Sequence, residues 1–201
     1  MSHTRSLNSA KIETLVLLDY FKPFAGGNKI LKFIAACDAL YERTQFPKDT
    51  DSPYIEYIKK CSTTTDKLKT YKDFDYDKAL QEIWDSLPDE PLTISQQLKA
   101  QKEYLGYLQY ANPRLATTYH YVLSIDGKYK NKNITLYRLC DGETLTYKIR
   151  PRTLDDNPIE PGEIIKVLDT HTEGKWSKDG DQWVQSTTDF NDFLTKYSHV
   201  R

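Results

Sequence analysis

A chain of 201 residues can bury one sizeable core or two small ones, because domains usually hold roughly 100 to 150 residues. Its 28 Lys and Arg balance 29 Asp and Glu, so composition shows neither the basic excess of a general nucleic-acid binder nor the acidic excess of a disordered chain. No window approaches the ~20 apolar residues that a membrane span needs, and Cys37, Cys61 and Cys140 are too few, too scattered and odd in number for a disulfide framework. The expectation is a soluble, cytoplasmic protein with reduced, buried thiols.

Met1 to Arg5 read as a leader or frayed start without a function. Asn8 or Ser9 can cap a helix whose apolar positions Ile12, Leu15, Val16 and Leu18 follow helical spacing, until Pro23, Gly26 and Gly27 break it. Asn28 is the expected cap of the next helix, where Ile30, Phe33, Ile34, Cys37, Leu40 and Tyr41 form an apolar stripe, so the two helices should pack as a hairpin. Ser52 and Pro53 read as the cap and first position of a third helix, with Ile55 and Ile58 inward. "STTTDKLKTYKDF" is expected as a polar loop and residues 78–86 as a short helix. Thr93 and Gln96 have capping-box spacing, so another helix should start there, run through Leu98, Leu105 and Leu108, and close at Asn112-Pro113.

Beyond this hinge the hydrophobic period changes from helical spacing to two. "YHYVLSI", "NITLYRLC", "TLTYKIR", "EIIKVLD" and "QWVQS" are strand-length and rich in β-branched and aromatic residues, with Gly- and Asp-bearing turns between several of them. The pattern predicts an α+β chain: a helical domain over 1–113, a five-stranded OB-fold β-barrel over 117–190, and a tail over 191–201. A Pro-rich connection precedes the fourth strand, and "THTEGKWSKDGD" is expected as the loop before the fifth.

Local charge is less balanced than the whole. Residues 119–154 carry seven basic residues, Lys128, Lys130, Lys132, Arg138, Lys148, Arg150 and Arg152, against Asp126, Asp141 and Glu143, a net of +4; residues 155–201 carry five against ten, a net of −5. OB-folds bind single strands on their second and third strands and the flanking loops, where cations track phosphate and aromatic faces stack on bases. Tyr129, Tyr137 and Trp176 interleave with the positive charges, and Lys148 and Arg150, two apart on one strand, are expected to point the same way. The same lysines also fit a solvated strand edge protected against aggregation.

Other constellations carry less. Asp73, Asp75 and Asp77 have period-two spacing but adjoin a helix start, where aspartates serve as caps; Asp169, His171 and Glu173 lack a fourth metal partner. The chain has no glycine-rich phosphate loop, CxxC pair or GxSxG elbow, so neither independent catalysis nor a cofactor is expected. Trp84 and Trp183 are expected in cores.

Two segments resemble the alpha subunit of bacterial DNA polymerase III, the C-family replicative polymerase. "QKEYLGYLQYANP" is similar to that family's Leu-Gly-aromatic helix, turn and proline before the OB domain, with Asn112 in place of the usual histidine. "SLNSAKIETLVLLDYFKPFAGGNKILKFIAACDAL" resembles an upstream helical segment, with Asn8, Leu15, Phe21, Gly27, Asn28 and Leu31 at matching places and "DYFKPF" where Gly-Ala-Phe-Asp is usual.

The resemblance implies a non-catalytic downstream portion, without the palm and its catalytic aspartates, whose OB-fold holds single-stranded template. It also implies a sliding-clamp peptide near "QEIWDSL", with Gln81, Ile83 and Trp84 as candidate contacts, although Trp84 follows the glutamine too soon and the segment scans as a helix. The alternatives are an interaction module that docks replication partners and a free-standing phage-type binding protein.

Overall fold

A computed structural model of the chain describes residues 8–41, 43–65, 67–127 and 130–200. The chain is α+β, with helices followed by a five-stranded sheet, and it divides into two compact units, Met1–Ala100 and Gln101–Arg201.

The first unit contains α1 (Ser9–Leu17), α2 (Gly27–Leu40), α3 (Ile55–Lys60), α4 (Tyr76–Ser86) and α5 (Ile94–Ala100), with a two-residue antiparallel pair, β1 (Phe46–Pro47) and β2 (Thr70–Tyr71). Asn8 caps α1 by accepting the Lys11 N–H at 3.1 Å. Asn28 is not the cap of α2, which begins one residue before it behind Gly26. Its carboxamide instead donates to the Pro91 carbonyl (2.8 Å) and accepts from Gln96 Nε2 (2.9 Å), tying the start of α2 to the start of α5.

Ala36, Leu40, Phe46, Ile58 and Ile83 form the core of this unit. The stripe on α2 enters it as far as Leu40; Tyr41, expected inward, lies past the helix end and is exposed. β2 falls within the expected polar loop, because its pairing with Phe46 and Pro47 is too short to leave a periodic signal.

Thr93 and Gln96 form the expected box: the Gln96 N–H donates to Thr93 Oγ1 (3.2 Å) and the Thr93 N–H donates to Gln96 Oε1 (2.8 Å). Since the box satisfies two otherwise unpaired amides, Thr93→Ala should cost about 1 kcal/mol, read as a lower urea midpoint at unchanged slope.

The second unit contains β3 (Tyr119–Asp126), β4 (Lys132–Arg138), β5 (Thr144–Ile149), α6 (Pro151–Asp156), β6 (Ile164–Asp179) and β7 (Gln182–His199). The strands hydrogen-bond in the order β3-β4-β5-β7-β6, and β6 returns to β3, so the sheet closes on itself. β5 and β7 run parallel, while the other pairs are antiparallel. Val122, Ile134, Leu136, Ile149, Ile165 and Leu194 fill the interior. The Pro-rich connection holds α6, with Pro151 in the first turn and Leu154 packed against this core.

Three expectations about this half are corrected. The helix from Thr93 stops at Ala100, passes through a π-turn at Gln101–Leu105, and ends before Gly106, whose φ of 79° lies in the left-handed region. Gln101 Oε1 then accepts the N–H groups of Gln109 and Tyr110, and the Asn112 N–H donates to the Leu139 carbonyl. Residues 101–113 therefore belong to the second unit rather than closing the helical domain.

The presumed tail is the second correction: residues 191–199 complete β7, and Phe193, Leu194 and Tyr197 are buried. Third, most of "THTEGKWSKDGD" is not a loop but the far half of a long β6–β7 hairpin. Most of its residues are exposed on both faces, so the alternation that marks a half-buried strand is missing.

Candidate nucleic-acid interface

On β4 and β5 the register sets Asn133 opposite Lys148, Thr135 opposite Thr146 and Tyr137 opposite Thr144. Ile134 and Leu136, the alternate residues, face the core, so these three pairs form the outer wall of the sheet. Asn133, Thr135, Thr144 and Thr146 make most of this wall polar around Lys148, its cation, while Tyr137 at its end is buried.

Two open recesses adjoin it. One, of about 340 Å³, is bordered by Asn131, Lys148, Glu173, Lys175, Trp176 and Phe193. The other, of about 650 Å³, is bordered by Lys130, Asn131, Arg150, Pro151, Arg152 and Asp155. They share Asn131, so the structure brings Lys130, Lys148, Arg150, Arg152 and Trp176 from the predicted set to one region, with Lys148 and Arg150 in neighbouring recesses. Lys132 borders a third hollow, with Leu154 and Pro158. Lys128 and Tyr129 lie outside the described residues.

Other members of the set are committed elsewhere. Tyr137 is buried, its hydroxyl donates to the Tyr110 carbonyl (2.7 Å), and a Cβ on Gly142 would stand 2.8 Å from that oxygen. Its ring therefore has no free face for a base. Arg138 forks onto Asp141 (2.6 Å) and also pairs with Glu143, both in its own hairpin. The hydrogen bond from Arg138, followed by one from the Glu143 N–H, holds the Asp141 carboxyl down at about 2, so this pair stays charged across the neutral range.

Arg150 pairs with Glu173 and its guanidinium lies 5.2 Å from the Phe193 ring centroid. Arg152 stands 3.7 Å from Asp156, and Lys175 pairs with Asp189 at 3.1 Å. Of the predicted cations that the structure describes, Lys130, Lys132 and Lys148 make no ion pair with the described residues. The +4 of the sequence count thus overstates the free positive charge of this region.

Asn131, Lys175 and Phe193 are lining residues outside the predicted set. Phe193 was hidden by its place in the presumed tail. It sits opposite Lys148 on β5 and His171 on β6, so a buried aromatic ring, covered by Arg150, lies beside Lys148 at the recess.

The discounted acids have local roles. Asp75 caps α4 through the Lys78 N–H (3.0 Å), Asp169 accepts from Thr195 Oγ1, and Glu173 holds Arg150. Among the described residues no group of His, Cys, Asp and Glu is placed to hold a metal ion, and no helix is long and apolar enough to cross a membrane. Cys61 and Cys140 are buried and Cys37 is half-buried; burial raises the pKa of Cys37 and Cys61, which favours their neutral thiols.

Ile83 of the clamp candidate is fully buried in the first core, and the Trp84 ring packs edge-on to Phe33 at 5.0 Å with the Lys29 ammonium 4.6 Å from its centroid. Gln81 donates to Asp85 along α4. A partner could not take Ile83 and Trp84 together without unpacking this helix.

His120 on β3, opposite Arg138 on β4, is buried; its Nδ1 lies 3.0 Å from the Thr118 carbonyl, while Nε2 has no hydrogen-bond partner among the described residues. Burial, the largest influence, lowers its pKa below the ordinary 6.5, and the Thr118 carbonyl opposes that shift only in part. As pH falls through 6.5, the unfolded chain therefore takes up a proton that the folded chain refuses. Stability from this group is present above that pH and lost below it. Thermal midpoints of the second unit should fall between pH 7.5 and 5.5, and His120→Gln should flatten that limb.

Comparison with protein-family models, curated proteins and solved structures finds no match for this chain.

Proposed function

We propose that the chain is a non-catalytic DNA-binding segment whose second unit is an OB-fold that holds single-stranded DNA across β4, β5 and the base of the β6–β7 hairpin. Its strand order, the parallel β5–β7 pairing and a helix between the third and fourth strands support the OB-fold reading. The observation that carries the function is the recess in which Lys148, Trp176 and Phe193 stand together, with Lys130 in the recess beside it.

In this reading Lys130, Lys132 and Lys148 meet phosphates, and Trp176 gives a base a stacking surface. Because every base has a π-face, sequence preference is weak. Arg150 is a second-line cation that reaches phosphate only by sharing or releasing Glu173. The two segments similar to polymerase III alpha agree with a place beside a replicative polymerase, as a template-holding piece.

A second reading has its own support. Arg138, Arg150, Arg152 and Lys175 are neutralised by neighbouring acids, which suits a protein-docking module as well as a DNA site. Titrating labelled single-stranded and duplex DNA at two salt concentrations separates them. Salt-sensitive binding that favours the single strand supports the DNA reading, and no binding at low salt leaves the docking module.

A further inference from the structure

The far end of the β6–β7 hairpin carries the two most exposed indoles among the described residues. Trp176 is 58% and Trp183 is 64% exposed, although Trp183 was expected in a core. The register sets Trp176 opposite Gln185 and Lys178 opposite Trp183. Cross-strand partners and alternate residues share a face, so Trp176, Lys178, Trp183 and Gln185 project from one side of the arm. Ser177 and Asp179, with Val184 and Gln182 opposite them, project from the other, which keeps the Asp179 carboxylate off the indole face.

Trp176 and Trp183 are thus diagonal neighbours, a relation that spaces residues by about 7–8 Å. Neither indole contacts another ring among the described residues. Stacked bases lie ~3.4 Å apart, so a planar ring held between two others needs about twice that distance between the outer pair. Residue positions about 7–8 Å apart let the two rings stand on either side of a base, Lys178 adds a cation on the same face, and Trp176 also borders the recess of Lys148.

We propose that Trp176 and Trp183 clasp one unpaired nucleobase, which makes the hairpin arm a second part of the single-strand site. The proposal rests on the DNA-binding reading above and deepens it. A strand whose phosphates meet Lys148 can pass a base outward to the arm. A duplex cannot do so without unstacking, so the clasp selects for single strands.

The test uses the full chain and a twelve-nucleotide oligo(dT), read by fluorescence anisotropy of a labelled strand and by quenching of tryptophan emission. Trp183→Ala should weaken binding by roughly 5- to 150-fold, the range expected when one stacking partner is removed, and abolish part of the quenching. Trp183→Phe, which keeps a ring, should restore much of the affinity. Both variants should melt as wild type, because Trp183 is exposed.

Three results would overturn the clasp. If Trp183→Ala binds as wild type while Lys148→Glu binds weakly, the arm is no part of an otherwise sound site. If wild type does not bind oligo(dT) at low salt, the DNA reading fails and the clasp with it. If wild type self-associates in sedimentation and Trp183→Ala abolishes that, the indole face is a contact between copies of the chain.

Discussion

Leu194→Ala should destabilise the second unit by about 2–5 kcal/mol, the range for removing a large buried aliphatic side chain. Leu194 is 1% exposed and lies in the central cluster with Ile149 and Ile165. It stands where β7 is hydrogen-bonded on both sides, opposite Ile149 on β5 and Thr170 on β6, so a cavity there weakens the seam that closes the sheet. The loss should appear in denaturant unfolding followed by near-ultraviolet circular dichroism. Removing residues 191–201 should abolish cooperative unfolding of this unit altogether. A Leu194→Ala cost below about 1 kcal/mol, or a truncated chain that still unfolds cooperatively, would mean that β7 does not close the sheet.

Lys148→Glu should weaken single-strand binding about tenfold and reduce the slope of log affinity against log salt by about 0.7 for each phosphate that is no longer neutralised. Lys148 is the cation of the outer wall and has no ion-pair partner among the described residues, so its ammonium is available to a phosphate. Arg138→Glu is the control. Its guanidinium is already engaged by Asp141 and Glu143, so reversing it should lower stability through like-charge crowding in the hairpin while leaving the salt slope unchanged. Equal changes of slope in the two variants would show that net charge alone, and not the recess, governs binding.

The features that the sequence disclosed were those with a strong local cause. The capping box at Thr93 and Gln96, the cap at Asn8 and the strands β3 to β5 depend on near neighbours, and each is found where the pattern places it, although on β3, which carries a bulge after Val122, His120, Tyr121 and Val122 are buried in succession. Features that depend on distant partners were not legible. Phe193 and Leu194 are consecutive and both buried, which breaks the period of two; Leu194 faces the core, while Phe193 is covered from outside by Arg150. The π-turn after Ala100 preserves an apparent helical spacing through Leu105 and Leu108 although the helix has already ended.

The site was legible only in part for the same reason. A count of charges cannot show which cation meets which acid, and Arg138, Arg150 and Arg152 each find a carboxylate on their own unit. Tyr137 interleaves with the positive charges in sequence, yet its hydroxyl is taken by the Tyr110 carbonyl of the connecting segment and its ring is buried. Lys148 and Trp176, 28 positions apart in sequence, meet because β6 runs far beyond its expected end and returns as β7 beside β5.

The location of the site is tested most directly by titrating isotope-labelled protein with the twelve-nucleotide oligo(dT) and following backbone amide resonances. The largest shifts should cluster at Asn131, Lys148, Gly174, Trp176 and Phe193, while those around Arg138 and the Phe33–Trp84 pair stay in place. Shifts concentrated on the helical unit, or spread evenly over the surface, would contradict this placement of the site.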